Sequence, residues 1–69
     1  MEKKLSFSIQ CRSFDVALHE ATQKAADWMS DRDEVERKPL ELRHSGTQVN
    51  IDTFRRGNDV TLHHFEIYE

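Results

Sequence analysis

LSFSIQCRSFDVALHEATQKAADW, residues 5–28, decides the fold. In its first third apolar and polar residues alternate: Leu5, Phe7, Ile9 and Cys11 against Ser6, Ser8 and Gln10. From Phe14 onward the apolar spacing becomes helical, through Leu18, Ala21, Ala25 and Trp28. A period of two followed by a period of 3.6 is a half-buried strand running into an amphipathic helix. Ser13 or Asp15 can cap that helix, since a short side-chain oxygen accepts from an unpaired N–H of the first turn. The stripe at 14, 18, 21, 25 and 28 stays on one face and predicts a helix over 14–30, with the small alanines letting it sit close to what it covers.

Beyond the helix the chain DRDEVERK, residues 31–38, is a charge run that can extend it as far as Arg37. Pro39 disfavours helix at Lys38. Alternation then returns. Leu40 and Leu42 mark a second strand, Ser45-Gly46 reads as a turn, and Gln48 to Arg55 reads as a third strand. Gly57-Asn58-Asp59 is a second turn signal, and Val60 to Tyr68 completes the pattern. The order β-α-β-β-β predicts an α+β class: one mostly antiparallel sheet with a single amphipathic helix on one face. Its 69 residues form a single domain, 1–69.

The phase of the last strand has two readings. With Val49, Ile51, Val60 and Leu62 toward the helix, Phe54, His63, Phe65 and Ile67 face away and form an apolar patch, the mark of an interface. With a β-bulge at His63-His64, Phe65 and Ile67 turn back into the core.

Composition narrows the function. Charged residues are 33% of the chain, both signs mixed, with a formal net charge of −3. That balance argues against a nucleic-acid binder, which carries a basic footprint. One cysteine, Cys11, allows no internal disulfide and fits a reducing cytoplasm. The longest apolar run, Val16-Ala17-Leu18, and the start Met-Glu-Lys-Lys predict neither a membrane span nor a signal peptide. His63 and His64 are adjacent in a strand and point to opposite faces, so they cannot share a metal. His19 and His44 bring no metal-ligand spacing either, so the expectation is no metal, no cofactor and no catalytic residue. The alternative is a small nucleic-acid-binding or RNA-cleaving protein using Arg55, Arg56 and the histidines with a carboxylate such as Asp52.

In outline the β-α-β-β order resembles the flavin-binding dodecins. Their strand tryptophan is missing, because Trp28 lies on the helix, so flavin binding is not carried over. In size, acidity and sheet-plus-helix design the chain is similar to small phage-encoded inhibitors. The expectation is a cytoplasmic, non-enzymatic protein–protein interaction module, an accessory or inhibitor protein of a bacterium or its phage. It is expected to act on a protein partner and to form a homodimer. Its contact surfaces are the outer sheet patch (Phe54, His63, Phe65, Ile67) and an acidic helix flank (Asp27, Asp31, Asp33, Glu34).

Overall fold

Residues 2–30, 39–55 and 57–69 are described by a computed structural model of the chain. Strand β1 (Lys3–Gln10) leads into helix α1 (Phe14–Ser30), followed by β2 (Glu41–Asn50) and β3 (Val60–Tyr68). The sheet is antiparallel throughout in the order β1-β3-β2, so β3 is central and β1 and β2 are edges. The α+β architecture with one helix against one sheet is as expected. The second and third strands expected separately are one continuous strand, β2. The residues read as a turn between them are instead a β-bulge: the register with β3 shifts between His44 and Gly46. Ser45 is the extra residue.

α1 begins where the capping argument puts it. Ser13 Oγ accepts from the Val16 N–H at 3.4 Å, and the Ser13 carbonyl accepts from the Ala17 N–H at 3.0 Å. Of the two candidates, Ser13 is therefore the cap. The helix extension toward Arg37 lies outside the described residues. At the other end of the chain, the third strand expected to reach Arg55 stops at Asn50. The Asp52 carboxylate turns the backbone there by accepting from the Phe54 and Arg55 N–H groups at 2.9 and 3.0 Å. An aspartate that bonds its own chain two and three residues on favours a turn over a ladder. Gly57 follows at φ 89°, a conformation that favours glycine.

The core lies between α1 and the sheet. Ala17, Ala21 and Phe65 form a fully buried cluster with Phe7, Ile9, Cys11 and Leu42 packed against it, and Ile67 is fully buried as well. Phe65 is the hub: its ring stacks on Phe7 at 5.9 Å and on Phe14 at 6.4 Å between centroids. The helix seats on its alanines rather than on the stripe of large residues. Leu18, expected in the core, is 39% exposed. At 100° per residue, Leu18 lies well round the helix from the Ala17–Ala21 line, on the side that carries Phe14 toward His44.

The outward phase expected for His63, Phe65 and Ile67 is corrected by their burial, 3%, 1% and 0% exposed. They face the helix because their partners across the ladder are Ile9, Phe7 and Leu5, the apolar face of β1. Directly opposed residues share a face. No bulge in β3 is needed to bring them inward. Val60 and Leu62 consequently take the outer face.

Candidate interaction surfaces

Three surfaces bear on function: the outer sheet face, the apolar end of the molecule beyond the helix, and a groove at the end of β1. The outer face is a polar network. Ser8 lies 2.6 Å (Oγ) from His64 Nδ1, and His64 Nε2 lies 3.3 Å from Gln48 Oε1, so one chain of hydrogen bonds crosses all three strands. Gln48 Nε2 in turn donates to Asn50 Oδ1 at 2.8 Å. Further along the same face Arg43 donates to Glu41 at 2.7 Å and lies 4.1 Å over the Tyr68 ring, while the Tyr68 hydroxyl donates to Glu66. The Arg43 hydrogen bond holds the Glu41 carboxyl below its usual range, and the same bond raises Arg43. The bond to Glu66 holds the Tyr68 phenol above its ordinary value, helped by burial and by the Glu66 charge, with Arg43 opposing.

The apolar end follows from the path of α1. The helix starts just after β1 ends and runs back over Phe65, so it leaves the far part of the β2–β3 hairpin uncovered. Val49 shares the helix side of the sheet, opposite Thr61, yet is 53% exposed. Ile51 and Phe54, in the segment after β2, are 71% and 97% exposed. Phe14, Val16 and Leu18 at the start of α1 are also exposed. The molecule is 52 Å long against 19 and 16 Å across, whereas a 17-residue helix spans only about 25 Å.

The groove, about 400 Å³, is lined by Gln10, Cys11, Arg12, Asn58, Asp59 and their neighbours. Arg12 bridges it by donating to the Gly57 carbonyl at 3.1 Å.

The structure separates the residues expected to act together. Phe54 is exposed, but His63, Phe65 and Ile67 lie under the helix, so no patch joins the four. Asp27 is exposed on α1; Asp31, Asp33 and Glu34 lie outside the described residues. The histidines of the sheet divide between its two faces, with His44 and His63 meeting through Thr47 on the helix side. His63 is buried on the helix face, with Nε2 donating to the Cys11 carbonyl at 2.9 Å and Nδ1 accepting from Thr47 at 3.0 Å. Thr47 accepts from His44 Nε2 at 3.0 Å. His64 sits on the opposite face with Ser8. Arg55 is exposed and Arg56 is outside the described residues. Among the described residues no three histidine, cysteine or acidic side chains cluster as metal ligands, and no helix is long and apolar enough to cross a membrane.

Two features escaped sequence reasoning. The Ser8–His64–Gln48 chain depends on cross-strand register, which no local pattern encodes. The exposed Val49–Ile51–Phe54 end depends on where the helix stops covering the sheet. Compared with family models, curated proteins and solved structures, the chain matches none.

Proposed function

We propose that the chain is a small, non-enzymatic protein–protein interaction module of the cytoplasm, an accessory or inhibitory protein that binds a protein target and pairs with itself. One observation carries this reading. Among the described residues six large apolar side chains stand 39–97% exposed, while the fully buried apolar side chains are two alanines, Phe65 and Ile67. A domain of this size has little core to spare, and burying such a surface against another chain adds what the monomer lacks. The contact surface is the uncovered end, Val49, Ile51 and Phe54 with the start of α1, in place of the outer sheet face. Asp27 and Glu20 on the exposed side of α1 supply an acidic flank for a basic partner.

Sedimentation velocity at micromolar concentration tests this. The expected result is a homodimer that Ile51→Asp with Phe54→Asp converts to monomer while the circular dichroism spectrum is unchanged. A monomer at every concentration refutes self-pairing. Steep, salt-dependent binding to RNA or DNA would refute the protein-module reading as a whole.

A further inference from the structure

We propose that Ser8 is an activated nucleophile, and that it accepts an acyl group from a small activated carboxylic ester, with His64 as its base and Gln48 as the residue that positions the base. This goes beyond the binding role and rests on a separate surface, the outer face of the sheet. With the His64 ring neutral, its hydrogen-bond partners fix the tautomer. Gln48 Nε2 donates to Asn50 Oδ1 at 2.8 Å, which leaves Gln48 Oε1 turned toward His64. An amide oxygen only accepts, so His64 Nε2 carries the proton and donates it at 3.3 Å. In the neutral ring Nδ1 is then a lone pair, and the Ser8 hydroxyl at 2.6 Å donates to it. A hydroxyl on a histidine nitrogen, with the other nitrogen held by a third group, is the arrangement that activates serine nucleophiles.

The three strands supply one member each, so the arrangement is built on ladder rather than loop. Ser8 and His64 are register partners, and Gln48 is two pairs further along, the next β2 residue on the same face. Gly46 is the register partner of His64 on β2. A side chain added at Gly46 would meet no atom within 4 Å, so the ring of His64 has open space beside it. Ser8 is exposed on the edge strand β1, so an ester carbonyl can approach it from the solvent side. In the step, Ser8 Oγ forms a bond to the carbonyl carbon as its proton passes to His64 Nδ1. The bond from that carbon to the leaving oxygen then breaks. The leaving group takes the proton from His64, which returns neutral, and Ser8 is left as an ester.

The probe is p-nitrophenyl acetate, with the acetylated residue located by peptide mass spectrometry and the rate followed by p-nitrophenolate release. Ser6, two residues earlier on the same face, is the internal reference. Acetyl should appear on Ser8 at least tenfold faster than on Ser6. A positioned base contributes about 10²–10⁴-fold, so His64→Asn should lower the Ser8 rate by about 100-fold or more. Gln48→Leu should lower it, and Gln48→Glu, whose carboxylate accepts the same hydrogen bond, should restore it. Circular dichroism separates any unfolded variant from a folded, unreactive one. No acetyl on Ser8, equal rates at Ser8 and Ser6, or a folded His64→Asn protein that reacts as fast as the parent each overturns the proposal.

Discussion

Leu18 and Ala21 stand three residues apart on α1, and their surroundings differ enough to be separated by mutation. Ala21 is fully buried against the sheet, while Leu18 is 39% exposed. Adding bulk at a packed alanine forces the helix off its seat, so Ala21→Leu should cost about 1–3 kcal/mol. Leu18→Ala leaves that seat intact and should cost less than about 1 kcal/mol, well short of the 2–5 kcal/mol of a core leucine. Urea melts of the two variants check the order; the reverse order would put the large-residue stripe in the core after all. The stripe was legible in the sequence as one face, but its centre was not. Periodicity marks which residues share a side, and residue size does not say which of them lies deepest. A second residue-scale test uses the single tyrosine. Tyr68 titrates above its ordinary value, chiefly because its hydroxyl donates to Glu66. A phenol raised in the folded state contributes stability that is fully present below the unfolded pKa, near 10, and is lost as pH rises through the folded value. Tyrosinate absorbance should therefore show a midpoint above that of a tyrosine peptide, and Glu66→Ala should bring it down. An unshifted midpoint would show that the bond to Glu66 does not persist in solution.

At the scale of elements, β2 is the informative case. Ser-Gly between two alternating segments reads as a turn, because bulges and turns use the same small residues. What decided between them was β3, a nine-residue strand whose inner face needs a partner along its whole length. The bulge at Ser45 lets Leu42 and His44 on one side, and Thr47 on the other, all face the helix. Without it, one half of β2 must turn its side chains over, since a one-residue slip exchanges the two faces. Deleting Ser45 should therefore be far more damaging than Ser45→Ala. The deletion should lose amide protection along β2 in hydrogen exchange, while the substitution should leave it in place. Equal protection in both would show that the strand tolerates either register. β1 and the start of α1 needed no such tertiary information. Leu5–Phe7–Ile9 and the Ser13 cap are local signals, and the structure keeps them. The candidate site on the outer face was illegible for the opposite reason: Ser8 and His64 are 56 residues apart in the chain and meet only through register.

For the whole molecule, the phase of β3 removes one interface and uncovers another. Phe65 and Ile67 go into the core, and the most exposed apolar side chains among the described residues, Val49, Ile51 and Phe54, lie at the end the helix does not reach. If a second copy covers that end, folding and association are linked, and the melting temperature must depend on concentration. By mass action, a hundredfold change in free partner is worth about 2.7 kcal/mol, shared between two chains. For a domain of this size each kcal/mol moves the midpoint by about 4–8 °C. A hundredfold dilution should thus lower the midpoint by several degrees. Ile51→Asp with Phe54→Asp should abolish that dependence, because both side chains are exposed and neither belongs to the core. The double variant should melt where the dilute parent melts. A parent midpoint that does not move on dilution would sink self-pairing and leave a different protein as the occupant of this end. A double variant that unfolds at every concentration would instead place Ile51 and Phe54 among the residues that hold the monomer together.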